Sequence, residues 1–165
     1  MHYWIKTWIA CLFLFLTIPL SGITQEDHKD HDHGHHKNEI GGAVGIFLDL
    51  GEEVTSSGFH LHYSRMLGGK VKWLGISPGF EFVFGEHQHY ALQLMMTFRP
   101  TGGWWIGAGP GISYFDHHED FQLSGHIETG YEFDAGHVHF GPVVEYSWAE
   151  EDQHLMFGIH LGVPF

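Results

Sequence analysis

At 165 residues the chain is long enough for one domain and too short for two of ordinary size. It carries 20 acidic against 7 basic residues, a formal net charge of −13, so it lacks the basic face that a nucleic-acid binder needs to neutralise phosphates. A content of 23 glycines with 16% aromatic residues excludes a helical bundle, where each interior glycine costs roughly 1 kcal/mol relative to alanine, and suits a β-protein with many tight turns.

Residues 1–24 read as a secretory signal peptide. Lys6 supplies the positive n-region, Trp8 to Leu20 the apolar h-region, and Ser21-Gly22-Ile23-Thr24 the small-residue stretch; cleavage after Gly22 and after Thr24 both fit. The apolar run falls short of the ~20 residues a membrane-spanning helix prefers, so cleavage is expected rather than anchoring. The only cysteine, Cys11, lies inside this segment, and the apolar run continues past it, which argues against a lipoprotein cleavage there. The mature chain is therefore expected to have neither disulfide nor thiol chemistry.

Residues 25–39, QEDHKDHDHGHHKNE, contain no apolar residue. Such a segment cannot bury enough surface to offset its ordering entropy and reads as a flexible tail. It holds His28, His31, His33, His35 and His36. Imidazole suits zinc, copper and nickel, and a flexible chain can gather several rings around one ion, so these five are candidate metal ligands. The spacing matches no defined structural site; the signal is compositional.

From residue 40 to 165 the hydrophobic period is two. Eight alternating segments emerge between turn signals, at roughly 40–50, 57–67, 71–84, 89–99, 104–115, 121–133, 137–148 and 153–165. In the fourth, Tyr90, Leu92, Leu94, Met96 and Phe98 oppose His89, Ala91, Gln93, Met95 and Thr97. In the last, Leu155, Phe157, Ile159, Leu161, Val163 and Phe165 oppose His154, Met156, Gly158, His160 and Gly162. Strict alternation of this length is a strand signal, because successive side chains point to opposite faces. Turns alternate in character: 67–70, 101–103 and 134–136 are short and glycine-bearing, whereas 51–56, 85–88, 116–120 and 149–152 are acidic or histidine-bearing. Pro78, Pro110 and Pro142 repeat every 32 residues, the length of one hairpin with its two turns. Proline lacks a ladder donor, so a bulge or kink is expected at each.

One face of all eight segments is apolar and the other carries His, Glu, Gln, Ser and Gly. Eight strands cannot bury so large an apolar face inside, whereas lipid outside and polar side chains within fit it. Aromatics cluster near segment ends, with Phe84, Tyr90, Tyr114, Phe121 and Trp148 toward one rim and Tyr63, Phe98, Trp104, Phe133 and Phe165 toward the other. The expected fold is all-β, an eight-stranded antiparallel up-and-down transmembrane β-barrel.

On these residues, and on the C-terminal strand HLMFGIHLGVPF with its terminal Phe165, the chain resembles the small eight-stranded outer-membrane barrels of the OmpA/OmpX type over about residues 40–165. The resemblance implies a bacterial outer-membrane location and insertion by the barrel-assembly machinery through the C-terminal strand. It also implies contact with outer-membrane lipid and lipopolysaccharide, a monomeric state, and short turns facing the periplasm. No catalytic motif of a lipid-modifying barrel enzyme is matched, and no residue role is carried over. In that orientation Arg65, Lys70, Lys72 and Arg99 lie at the periplasmic end, and an acidic mouth faces outward.

Pairing the segments through short turns brings His139 near Glu128 and His160, with His126 a pleat further along. A separate pairing sets Asp49 beside His60, with His62 next. His126, Glu128, His139 and His160 are therefore candidate luminal metal ligands or members of a satisfied buried network. No cofactor is required by any motif; zinc, copper or nickel are the ions the histidines would take. The expected function is a non-enzymatic envelope barrel with divalent-metal binding through the tail. A metal-handling or transport barrel and a lipid-active enzyme are the alternatives.

Overall fold

The computed structural model describes residues 37–165 except 53, 86, 87, 101, 117–119 and 151. The signal-peptide reading and the five tail histidines lie outside the described residues. The described chain forms strands β1 (Asn38–Asp49), β2 (Thr55–Met66), β3 (Leu74–Phe84), β4 (His89–Phe98), β5 (Trp104–Phe115), β6 (Asp120–Tyr131), β7 (Phe133–Asp134), β8 (His139–Trp148) and β9 (Gln153–Pro164). All pairings are antiparallel between chain neighbours, and β9 returns to β1. The sheet closes because β8 pairs with both β6 and β7, which are two parts of one wall strand. The barrel therefore has eight strands. At the seam Phe165 N donates to Asn38 O at 2.8 Å and Asn38 N to Phe165 O at 3.3 Å, so closure reaches the last residue of the sequence. It also starts earlier than the sequence pattern suggests: Asn38 and Glu39, read as tail, belong to β1.

The pleat alternates as the sequence period requires. In β4, His89, Ala91, Gln93, Met95 and Thr97 are buried while Tyr90, Leu92, Leu94, Met96 and Phe98 are exposed. The exposed set is the apolar one throughout: Leu92 is 66%, Val44 63% and Leu123 82% accessible, whereas Glu81, His126 and Glu145 are 0%. A water-soluble barrel would show the reverse, because leaving an apolar band of this extent in water forfeits the main driving force for folding. The interior also holds Phe47, Val83, Met95, Trp105, Val143 and Met156, which fill the space between polar layers.

Ring contacts mark both rims. At the end opposite the termini, Phe82 and Tyr90 lie 4.7 Å apart, Tyr114 and Phe121 4.9 Å, and Tyr146 and Trp148 5.6 Å. At the terminal end, Trp73 meets Phe98 at 5.3 Å, Trp104 meets Tyr131 at 5.6 Å and Phe133 meets Phe140 at 5.8 Å. Aromatic girdles at two levels are a feature of lipid-embedded barrels.

The three repeated prolines do not mark bulges. Each sits on the outer face and pairs in register with the following strand, Pro78 with Leu94, Pro110 with Gly125 and Pro142 with Ile159. Toward the preceding strand the ladder lapses and then resumes with no residue inserted. The gaps fall at Tyr63 and Ser64 opposite Pro78 and Ser77, at Leu94 and Met95 opposite Pro110 and Gly109, and at Tyr131 and Glu132 opposite Pro142 and Gly141. A missing N–H removes a bond without adding a residue, so the register is retained. The third gap is what separates β6 from β7. There the strands approach so closely that a Cβ on Gly141 would overlap the Tyr131 carbonyl.

The connections do not show the length asymmetry typical of such barrels. Those opposite the termini, at 50–54, 85–88, 116–119 and 149–152, are short, and the longest connection, 67–73, is at the terminal end. It contains a 3-10 turn, Gly69–Val71, entered through Gly68 and Gly69 at φ 71° and 61°, which is why the third strand begins at Leu74 rather than near residue 71. In the β1–β2 connection Asp49 Oδ1 accepts from the backbone N–H of Gly51 at 2.7 Å and of Glu52 at 2.9 Å, fixing a tight reversal.

Candidate functional site

Because every second residue points inward, the period-two pattern delivers the polar half of each strand to one shared lumen. Glu39, Glu81, Glu128, Glu132 and Glu145 are all buried there, together with His60, His89, His126, His154 and His160. Arg99 is the single described Lys or Arg that turns inward; Lys37, Arg65, Lys70 and Lys72 are exposed. Buried carboxylates must be paired, protonated or bound to a cation, and the lumen has few fixed positive charges to offer.

At the terminal end the carboxylates converge on Arg99. Its guanidinium forks onto both oxygens of Glu132, the longer arm at 3.1 Å, and stands 3.6 Å from Glu39. His139 lies 3.5 Å from Glu39, 3.4 Å from Glu132 and 3.2 Å from Asp134. The rings of His62 and His160 stack 5.1 Å apart at 6°, their Nε2 atoms 3.4 Å apart. Gly41 makes room for this pair, since a Cβ there would stand 2.7 Å from both Nε2 atoms. Ser64, Ser77 and Thr97 hydroxyls form a chain at 2.6 and 3.0 Å along the neighbouring wall. Between these groups a cavity of about 10 Å³ remains, lined by residues that include His62, Arg99, Trp105, Glu128 and His160; it holds roughly one water.

In the middle layer Gln93 Nε2 donates to His60 Nε2 at 2.8 Å, and His60 Nδ1 faces Glu128 at 3.7 Å and Glu145 at 3.8 Å. Beside it runs a chain from Ser113 through Ser124 to His126 and Glu145, at 2.9, 3.0 and 2.8 Å. The order Ser124 Oγ, His126 Nε2, His126 Nδ1, Glu145 is that of a nucleophilic triad, an arrangement the linear sequence does not disclose. Ser124 is 7% exposed and already accepts from Ser113, and the hollow of about 450 Å³ that it lines with His126 lies on the apolar outer face, among Pro110, Leu123, Ile127 and Trp148, rather than in the lumen. A triad needs space for a substrate carbonyl next to the nucleophile. This one is a buried hydrogen-bond network.

The third layer lies below the acidic connections. His89 Nε2 is 3.3 Å and His154 Nε2 3.5 Å from Glu81 Oε1, and His154 Nδ1 meets Asp152 Oδ2 at 2.7 Å.

The four luminal residues singled out from sequence are all inward or at the rim of the lumen, in two sets: His126 and Glu128 share Glu145, and His139 and His160 share Glu39 and Glu132. His126 is with Glu145 and Glu81, Glu128 with His60 and Glu145, His139 with Glu39 and Glu132, and His160 with His62 and Glu39. The expected contact of His139 with Glu128 is absent, because the β7–β8 turn closes through Ala135 N–H to Val138 O at 2.9 Å and sets His139 opposite Asp134. Glu128 pairs with Glu145 instead. His139 does lie near His160: the β8–β9 register sets it opposite Gly162 and His160 opposite Gly141, so the two are diagonal neighbours that face the same carboxylates, Glu39 and Glu132. Asp49 is opposite His154, and His60 is opposite Ala43. Glu39, His60, Glu81, His89, Arg99, Glu132, Glu145 and His154 were not among the site residues read from sequence; their inward parity was the signal available for most of them.

The closed wall, the lipid-facing belt and the packed polar core can be compared with known structures. No protein-family model matches the sequence, and no curated protein does. Among solved structures, the chain is similar to Neisserial surface protein A (NspA), with TM-score 0.58 and 9% identity over 78% of this chain and 96% of that one. The N-terminal β-barrel domain of Pseudomonas aeruginosa OprF gives TM-score 0.53 and 11% identity over 78% and 98%. This is the fold of the small eight-stranded outer-membrane barrels. At such identities the likeness is one of architecture, and the histidine–carboxylate lumen has to be read from this barrel's own residues.

Proposed function

We propose that the chain is a non-enzymatic barrel of the bacterial outer membrane, plugged along its lumen and carrying a histidine-rich N-terminal arm that gathers divalent transition-metal ions. The observation that carries this reading is the combination of an apolar outer belt with an interior occupied by interlocked His, Glu and Arg side chains. A filled lumen supports an anchoring and binding role over solute conduction. The short acidic connections support recognition of cations or cation-bridged lipopolysaccharide over an extended protein partner. The terminal end, with its exposed Arg65, Lys70 and Lys72, is taken as periplasmic, which puts the arm in the periplasm.

Heat-modifiable migration in the membrane fraction tests the barrel reading. Titration of the refolded protein with zinc or copper tests the arm. Affinity at the arm should fall as pH drops through ~6.5, because imidazole below its pKa carries a proton on the ligating nitrogen. Deleting residues 25–36 should remove that binding and leave folding intact. The deletion stops short of Asn38, whose side chain accepts from Tyr63 OH at 2.7 Å and whose backbone closes the barrel on Phe165. Equal zinc affinity and pH profile with and without residues 25–36 would end the arm hypothesis.

A further inference from the structure

We propose that Glu81, His89 and His154 form a divalent transition-metal site of the zinc class inside the barrel, beneath the acidic connections, with Asp152 orienting one ligand. The site is separate from the histidine arm and needs only the barrel fold.

The distances are those of ligands around an ion. Metal–N and metal–O distances of about 2.0–2.1 Å in a tetrahedron imply ligand-to-ligand edges of about 3.3–3.4 Å. Glu81 Oε1 stands 3.3 Å from His89 Nε2 and 3.5 Å from His154 Nε2, and one ligand atom from each residue lies within 4.8 Å of the others. The three residues come from β3, β4 and β9, so they are held by the wall rather than by a loop.

The arrangement of partners suits an ion as well. Asp152 Oδ2, 2.7 Å from His154 Nδ1, is placed to accept a proton from that nitrogen, which with an ion bound would leave Nε2 as the ligating atom. His154 Nε2 and Glu81 Oε2 are both buried and make no hydrogen bond. A carboxylate behind a histidine that faces another carboxylate is the arrangement that fixes metal-ligating imidazoles. Phe47, 5.4 Å from the His154 ring, and Phe115, 5.2 Å from the His89 ring, wall the group with apolar surface. Two imidazoles and a carboxylate suit zinc and its first-row neighbours, with the second Glu81 oxygen or a water completing the shell.

The other histidine–carboxylate groups fit an ion less well. His126 has both nitrogens committed, to Ser124 and Glu145. His60 Nε2 accepts from Gln93, and its Nδ1 is 3.7 Å or more from either glutamate. Glu39 already faces Arg99 at 3.6 Å, a fixed positive charge that repels a cation. At the Glu81 group the neighbouring carboxylates add negative charge: Asp152 on His154, and Glu145, which with His126 lies within 4.8 Å of Glu81. The mouth above would concentrate cations.

The test uses the full mature chain with the five tail histidines replaced by serine, refolded in detergent and titrated with zinc and with cobalt near neutral pH. A single zinc should remain bound, and cobalt should give the intense visible bands of a low-coordinate site. Asp152→Asn should weaken zinc binding 10–100-fold, His89→Gln should weaken it at least as much, and His160→Gln should leave it unchanged. Heat-modifiable migration reports folding of each variant, and if His89→Gln fails to fold, Asp152→Asn decides alone. Loss of all zinc with the tail histidines would overturn the luminal site while leaving the arm intact. Unchanged affinity in Asp152→Asn, or loss of the ion in His160→Gln, would also overturn it, the first result pointing to an imidazolium held between two carboxylates.

Discussion

Arg99 is the residue on which the terminal half of the lumen depends. Its fork on Glu132 and its approach to Glu39 balance two buried carboxylates that no other described Lys or Arg reaches. Removing one partner of a buried ion pair leaves the other charge uncompensated, at a cost of about 3–5 kcal/mol. Arg99→Ala should therefore lower the urea unfolding midpoint of the refolded barrel by a corresponding amount, with the slope unchanged. Arg99→Lys should recover part of the loss, since an ammonium supplies charge but not the two-pronged geometry. Equal midpoints for wild type and Arg99→Ala would mean that the histidines alone neutralise these glutamates. Nothing local in the sequence marks Arg99 as luminal, because it follows the last residue of β4 and its partners come from distant parts of the chain.

Among elements, the proline gaps and the C-terminal strand govern the wall. Gly141 faces the Tyr131 carbonyl across the third gap, where a methyl group has no room. Gly141→Ala should destabilise by about 1–3 kcal/mol through overpacking, seen in the same unfolding measurement. Pro142→Ala should cost far less, since it adds an N–H to a rung that already lapses and changes no register. A Pro142→Ala variant as damaged as Gly141→Ala would show that proline itself shapes the gap. Deleting Phe165 removes the backbone pair with Asn38 and the terminal aromatic of the resembled insertion signal. Outer-membrane levels of that variant should fall, as read by fractionation and immunoblot; unchanged levels would count against a targeting role. The strands themselves were legible from the two-residue period to within a few residues at most ends. The cross-strand partners were not, because a hairpin's register depends on where its turn closes, as at Ala135–Val138.

For the molecule as a whole, a lumen whose described cavity is about 10 Å³ predicts no stable ion conductance. Planar-bilayer recordings of the purified barrel should show none, and reproducible unitary steps would refute the plugged reading. The sequence by itself determined that eight alternating strands would close with the apolar face outward, because side-chain parity leaves no other way to separate so many apolar residues from so many His and Glu. It also determined the charge asymmetry between the two ends and the aromatic rims. Only the tertiary structure decided which luminal groups meet: His139 with Asp134 rather than Glu128, His126 with Glu145, and Glu81 with His89 and His154. Parity fixes which face a residue occupies, whereas the rung it occupies, and hence its partners across the barrel, follows from the register around the closed wall.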